Sequence, residues 1–182
     1  MRERCALLLR AVNVSGHNRV PMAELRELLS VHLHLQNVAT YIASGNVICD
    51  APDDLPQLCA RVRGLISENF DVDTPVIART HTELQDVFAA NPFTDAASDK
   101  MLHVMFLEGE AHPDAAQELS ARLLAGERTA LRGRELWIDY GTSGAGNTKL
   151  TRSVLDRALG TAGTARNLRT LVKLIELTAP VA

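Results

Sequence analysis

Long apolar runs, an excess of positive charge and abundant cysteines are all missing from this sequence, and each absence excludes a class of protein. No apolar run approaches the roughly 20 residues that a membrane-spanning helix needs. The net charge of -3 argues against strong, sequence-independent binding of nucleic acid over a broad surface. The apolar start is interrupted at Arg10 and no small-residue cleavage pattern follows it, so we expect neither a signal peptide nor a membrane partner.

The cysteines and histidines show no pattern of metal ligands. Cys5, Cys49 and Cys59 have no metal-site spacing and cannot all pair with one another. They indicate buried thiols of a reducing compartment, and we expect a cytoplasmic protein. The histidines also lack the spacing of a metal site, so we expect no metal and no cofactor.

Residues 7 to 22 predict a strand, a polar glycine loop and a helix in succession. Cys5 to Leu9 is too short an apolar run for a helix and long enough for a buried strand. Gly16 permits a backbone turn, and Pro21 suits the first turn of a helix. The following helix carries an apolar stripe made of Met22, Leu25, Leu28 and Leu29.

This loop is the candidate binding site. Backbone N–H groups and the positive end of a helix dipole point at one spot there, beside basic side chains, which suits an anion. The ligand-binding residues that we predict in the loop are Arg10, Asn13, Gly16 and Arg19. The structural alternative is an ordinary strand-to-helix turn in which Asn13 and Asn18 bond to nearby backbone.

The first half of the chain predicts one complete ferredoxin-like α/β plait over residues 1–79. Two short strands, Val38–Ala43 and Val47–Cys49, are joined by a tight turn at residues 44–46. Asp53 is expected to cap the next helix, and Val72–Ala78 to form the last strand. In this topology Cys5 and Cys49 belong to neighbouring strands, so they should lie close together without being bonded.

The second half repeats the pattern in part. Residues 80–100 predict a bridging helix and a loop. The helix begins at a capping box formed by Thr80 and Glu83, and its apolar face carries Leu84, Val87 and Phe88. Residues 101–182 predict a second, incomplete plait: a strand at 101–107, a helix at 113–124, a hairpin at 128–140 and a loop at 141–147. Two C-terminal helices then follow, over 150–159 and 164–177, with no final strand. The fold class is therefore α+β with tandem plaits, which we expect to pack sheet against sheet.

Several blocks of the sequence resemble a bacterial family called domain of unknown function 1697. The blocks are residues 8–16 (Leu-Leu-Arg-Ala-Val-Asn-Val-Ser-Gly), 21–25, 40–47, 91–93, 148–150 and 164–167. Ala11 and Ser15 stand where that family usually has glycines, and Leu168 where a tryptophan is usual. The resemblance implies two α/β plait repeats and a protein without an established reaction.

The start of the predicted last helix supplies a second group of candidates. Core packing does not require polar residues at these positions, which are Thr164, Arg166 and Asn167. We expect their side chains to face the same cleft as Arg10. The best hypothesis is a binding module for a small anionic, phosphate-bearing ligand. One alternative is a nucleic-acid-binding protein that uses exposed basic residues, namely Arg152, Arg157, Arg166, Arg169 and Lys173. Another alternative is an enzyme, but the sequence identifies no catalytic residue, because Ser44 suits a turn and Glu135 and Asp139 suit a polar strand face.

Overall fold

Two antiparallel sheets of four strands each organise the chain, in a computed structural model that describes residues 3–142 and 144–180. The first sheet is built from β1 (Arg4–Leu9), β2 (Ala39–Tyr41), β3 (Asn46–Asp50) and β4 (Val76–Thr80). The second sheet is built from β5 (Leu102–Leu107), β6 (Arg128–Arg132), β7 (Glu135–Asp139) and β8 (Gly163–Asn167). The helices of the described residues are α1 (Met22–His32), α2 (Leu55–Phe70), α3 (His81–Ala89), α4 (Ala115–Ser120), α5 (Arg152–Leu159) and α6 (Leu168–Thr178). The fold class is α+β, as predicted.

The chain divides into two units. Unit 1 comprises the described residues up to Gln85 and those from Leu174 onward, and unit 2 comprises Asp86–Lys173. Positions 1, 2, 143, 181 and 182 lie outside the described residues, and they include one position of the loop predicted at 141–147.

Unit 1 packs α1 and α2 against one face of its sheet, in the strand order β2-β3-β1-β4. Alternate residues of β1 point to that face because strand side chains alternate between the two faces. The core cluster there includes Cys5, Leu7 and Leu9 of β1, Leu25 of α1 and Val62 of α2. The C-terminal segment also belongs to this unit, where Leu177 O accepts a 2.6 Å hydrogen bond from Arg4 Nη1.

Unit 2 has the corresponding strand order, β6-β7-β5-β8. Met105 and Leu107 of β5 join Leu119 of α4 and Leu155 and Leu159 of α5 in one core cluster. The β6–β7 hairpin turns at Gly133, where φ is +57°, and this confirms the predicted hairpin.

The prediction of an incomplete second plait is wrong, because residues 163–167 form a fourth strand. Thr164 is paired with Phe106 of β5, so it does not cap a helix. The helix begins later, at Leu168, and its cap is Asn167, whose Oδ1 accepts a 2.9 Å hydrogen bond from Thr170 N. The local pattern favoured a helix because the apolar stripe of α6 follows at once, whereas the strand's partner is distant in sequence.

Other element boundaries differ from the predictions in ways that neighbouring residues explain. The cap of α2 is Asp54, not Asp53, since Asp54 Oδ1 accepts from Gln57 N at 2.8 Å. Strand β4 begins at Val76, after Pro75, which has no N–H for a sheet. Helix α4 is much shorter than predicted and ends at Ser120. Phe88 is exposed, although Leu84 and Val87 are buried as predicted.

The capping box at the start of α3 is confirmed. Glu83 N donates to Thr80 Oγ1, and Thr80 N donates to Glu83 Oε2. In the part of the chain that the structure describes, no helix is long and apolar enough to cross a membrane.

Candidate functional site

The candidate site in unit 1 lies where β1 ends and the β1–α1 loop, residues 10–21, begins. Arg10 directly follows β1, and its backbone is held by Thr74, which precedes β4. Arg10 N donates to Thr74 Oγ1 at 3.2 Å, and Thr74 Oγ1 donates to Arg10 O at 2.6 Å. The residue that starts the loop is therefore fixed on both of its backbone groups.

The β1–α1 loop has an unusual backbone. The φ angle is positive at Ala11, Asn13, Ser15, Gly16 and Asn18, although only one of these is glycine. Left-handed conformations of this kind are uncommon outside glycine, and they persist where the surrounding structure enforces them. A tight turn closes the loop, with His17 N donating to Val14 O at 2.9 Å.

Asn13 is the residue that enforces this conformation. Its Nδ2 donates to Val20 O at 2.9 Å and to Ala43 O at 2.8 Å, and its Oδ1 accepts from Val20 N at 2.9 Å. Asn18 makes a similar but single bond, from Nδ2 to Ala11 O at 3.1 Å. These bonds favour the structural alternative for both asparagines, because the Asn13 amide is engaged within the chain.

The turn between β2 and β3 lies beside this loop. Gly45 has a φ of +85°, and a Cβ placed on it would stand only 2.6 Å from Val12 Cγ2 and 2.7 Å from Leu9 Cβ. Ile42, in the same turn, has a φ of +52° and an exposed side chain. The loop and the turn are therefore packed closely enough that only glycine fits at position 45.

The charges at this end of unit 1 are mostly positive. Arg10 is half-buried, and His17 and Arg19 are exposed. Helix α1 starts after Pro21, and Pro21 provides no side-chain cap for the first N–H groups of the helix. Glu24 lies in the first turn of the helix and offsets part of this positive field.

The other predicted site residues belong to unit 2. Thr164 and Arg166 are buried in β8, and Arg166 Nη1 donates to Thr164 Oγ1 and to Ala165 O, both at 2.8 Å. Burial lowers the pKa of the Arg166 guanidinium to about 10. Asn167 is occupied as the cap of α6. The predicted helix start is thus a strand, and the four residues of the β1–α1 loop are the candidates that share one segment.

The sequence did not single out Thr74, Ala43 and Arg79, and the structure gives each of them a role. Thr74 holds Arg10, and the Ala43 carbonyl receives Asn13, but both act on residues far away in the chain. Arg79 is buried in β4 and donates to Ala78 O at 2.8 Å. The dipeptide Ala-Arg at 78–79 recurs at 165–166, but it also occurs at 60–61 and 121–122, so the sequence alone does not single out Arg79.

The basic residues proposed for nucleic-acid binding do not form one exposed set. Arg152, Arg157 and Arg169 are exposed, Lys173 is half-buried, and Arg166 is buried. The expectation that Arg166 is exposed is therefore wrong. Within the described ranges, no group of three or more histidine, cysteine, aspartate or glutamate residues could hold a metal ion.

The fold and the loop define a two-unit α+β protein with a polar strand-to-helix loop in its first unit. The chain belongs to the family described as "Protein of unknown function (DUF1697)", whose model matches residues 1–137, and this confirms the resemblance seen in the sequence. No curated protein matches the chain. It is similar to the conserved bacterial protein SP0830 from Streptococcus pneumoniae, with a TM-score of 0.78 and 23% identity, over 98% of this chain and 99% of that one. That similarity shows a shared fold, and the function of the family is unknown.

Proposed function

We propose that the β1–α1 loop binds a small anionic, phosphate-bearing ligand. The observation that carries the proposal is the loop backbone, where positive φ at Ala11, Asn13 and Ser15 alternates with ordinary φ at Val12 and Val14. Alternation of this kind turns successive N–H groups toward one side and forms an anion-binding concavity. The start of α1 adds the positive end of its dipole.

Side chains support the same ligand class. Arg19 and His17 are exposed at the loop, and Arg10 lies at its base. Three backbone N–H groups of the loop donate to acceptors within the loop itself, namely those of Asn13, His17 and Val20. Binding would therefore use the backbone around Ser15 and Gly16 together with Arg19, while Asn13 keeps the loop in shape.

A titration with inorganic pyrophosphate tests the proposal. Stabilisation by a ligand grows with its concentration relative to Kd, and reaches about 2.7 kcal/mol at 100 times Kd. We expect a concentration-dependent rise in the melting temperature of the wild-type chain. Arg19→Gln should reduce that rise strongly, and Glu24→Gln should increase it, because the first loses a cation and the second removes a competing carboxylate.

Arg26→Gln is the matched control. Arg26 is exposed on α1 and its replacement changes the net charge by the same amount, but it lies beyond the loop. If Arg19→Gln and Arg26→Gln lose the same amount of stabilisation by pyrophosphate, the effect depends on net charge alone, and the proposed site is contradicted. The absence of any pyrophosphate effect on the wild-type chain would also contradict it.

Salt dependence separates this proposal from nucleic-acid binding. Contacts to a phosphate backbone weaken steeply as salt rises, because counterions are released, whereas a pocket of backbone N–H groups responds less. The nucleic-acid alternative retains Arg152, Arg157 and Arg169 as exposed cations, but it loses Arg166 to burial. The anionic small ligand is therefore the better supported partner.

For the fold, we infer two tandem ferredoxin-like repeats that arose by internal duplication. The pairing registers of the two sheets correspond residue by residue: Ala6 pairs with Ile48 and Arg79, and Val104 pairs with Trp137 and Arg166. Each fourth strand carries a buried arginine at that position and is followed at once by a capped helix. Shared register and shared chemistry at equivalent positions support duplication more strongly than the strand order alone.

We also propose a cytoplasmic location. Cys5 and Cys49 are thiols whose Sγ atoms are 3.7 Å apart. Two free thiols this close together are typical of a reducing compartment, where they stay reduced unless a disulfide oxidant is present.

A further inference from the structure

The two core cysteines of unit 1 have the geometry of an unformed disulfide. Cys5 of β1 and Cys49 of β3 are directly opposite each other in the antiparallel ladder, and their Sγ atoms are 3.7 Å apart. Directly opposed residues in such a ladder have Cα atoms about 4.5 to 5.5 Å apart, which lies inside the range of natural disulfides. A bond between them needs only side-chain movement.

Access to this pair is the obstacle, because both side chains are fully buried. The third cysteine offers a route: Cys59 is half-buried on α2 and packs against the same core cluster. Because Cys5 and Cys49 are fully buried and Cys59 keeps part of its surface exposed, Cys59 is the most accessible of the three thiols. A small oxidant could therefore reach Cys59 first.

We propose that these cysteines form a redox-modification site, in which a low-molecular-weight disulfide converts Cys5 and Cys49 into a cross-strand disulfide by way of Cys59. The Cys59 thiolate attacks the oxidant and releases its first thiol. One of the two core thiols then attacks Cys59 Sγ and releases the second thiol, and the other core thiol attacks the sulfur of the first and returns Cys59 as a thiol. Two protein thiols are oxidised, one oxidant disulfide is reduced, and the two protons leave on the released thiols.

The order of attack follows from the surroundings of the thiols. Cys59 is half-buried and meets the oxidant first, whereas Cys5 and Cys49 are fully buried and react only with a disulfide already formed on the protein. This site is independent of the proposed anion-binding loop, and either proposal can fail alone.

Glutathione disulfide is a suitable probe for the full-length chain. After incubation, denaturation and alkylation, we expect a single alkylated cysteine, Cys59. Apart from the mass of that alkyl group, the protein should be lighter than the reduced protein by two hydrogens. Peptide mapping should join the peptides of Cys5 and Cys49, and dithiothreitol should restore three alkylatable thiols. In Cys59→Ala the same disulfide should form at least about tenfold more slowly. Cys49→Ala cannot form the cross-strand disulfide, so its oxidised product should be a disulfide of Cys59.

Three results would overturn the proposal as a whole, and a fourth would overturn one part of it. One is a folded wild-type chain that keeps three alkylatable thiols, and another is a wild-type chain that accumulates only a mixed disulfide on Cys59. The third is a peptide map that joins Cys59 to either core cysteine as the end product. Equal rates in the wild type and Cys59→Ala would overturn the role of Cys59. Circular dichroism checks folding, and the wild-type peptide map decides the matter even where a variant does not fold.

Discussion

The imidazole of His103 meets the ring of Tyr140 edge to face, with ring centroids 5.1 Å apart and an angle of 88° between the planes. Both groups lie in unit 2 and are held neutral near pH 7. Burial lowers the pKa of His103, and burial raises the pKa of Tyr140 to about 12. His103 Nε2 donates to Lys100 O at 3.1 Å, which holds the ring in place and raises the pKa by less than burial lowers it.

Acid should therefore destabilise the chain through His103. Its pKa is lower in the folded state than the unfolded value near 6.5, so the unfolded chain binds more protons below that pH. Stability is full above the unfolded pKa and falls as the pH drops through it toward the folded pKa. Urea unfolding at pH 7.5 and pH 5.5 should show a larger loss for the wild type than for His103→Gln. Equal losses would mean that His103 does not contribute to acid sensitivity.

Gly45 should tolerate no side chain. A Cβ there would stand 2.6 Å from Val12 Cγ2 at a φ of +85°, so Gly45→Ala combines an unfavourable backbone conformation with overpacking. We expect a loss of about 2 to 4 kcal/mol in the free energy of unfolding. Gly16→Ala is the matched control, because its φ is +78° but nothing lies within 4 Å of its Cβ. Its loss should be about 1 to 2 kcal/mol, and a result as large as that for Gly45→Ala would show that close packing is not the cause.

Arg128 joins the loop after α3 to the β6–β7 hairpin. Its Nη2 donates to Asp139 at 2.6 Å, its Nη1 donates to both oxygens of Asp95, and its guanidinium lies 4.6 Å from the centroid of the Phe93 ring. Asp139 is buried and Asp95 is exposed. Removing the partner of a buried carboxylate costs more than removing an exposed one.

The expected order of destabilisation is therefore Arg128→Ala first and Asp95→Ala a distant second. Thermal unfolding of the two variants measures it. Arg128→Lys should resemble Arg128→Ala more than the wild type, because an ammonium group cannot reproduce the paired contacts of a planar guanidinium. Equal melting temperatures for the Arg128→Ala and Asp95→Ala variants would contradict the dominant role of Asp139.

Elements whose bonds are local were predictable from the sequence. The capping box of Thr80 and Glu83 involves neighbouring residues, and so does the turn at Gly133; both were predicted correctly. Strand β8 was missed for the opposite reason. Its hydrogen bonds go to β5, and its neighbour in sequence is an amphipathic helix, so the local pattern of residues 164–167 favoured the helix.

The candidate loop divides in the same way. Its strand, glycine and helix start follow from the sequence, because each is a local preference. The conformation of the loop does not, since it depends on Thr74 and on the Ala43 carbonyl, which are distant in the chain. The equivalent positions of Arg79 and Arg166 become visible only from the pairing registers of the two sheets, because the residues around the two arginines are mostly different.

Replacing Asn13 distinguishes a structural role of this residue from a ligand-binding role. The side chain makes three hydrogen bonds, to Val20 N, Val20 O and Ala43 O. With a net value of about 1 kcal/mol for each bond, Asn13→Ala should lose roughly 2 to 3 kcal/mol in the free energy of unfolding. Asn18→Ala removes one exposed bond and should lose less than about 1 kcal/mol.

Urea unfolding with and without pyrophosphate separates the two roles of Asn13. If Asn13 shapes the loop, Asn13→Ala is destabilised without the anion and also loses part of the stabilisation by the anion, since the backbone N–H groups are no longer held in place. Asn18→Ala should then keep most of both. A variant of Asn13 that is as stable as the wild type but insensitive to pyrophosphate would identify Asn13 as a direct ligand contact, and would contradict the structural role that its three hydrogen bonds indicate.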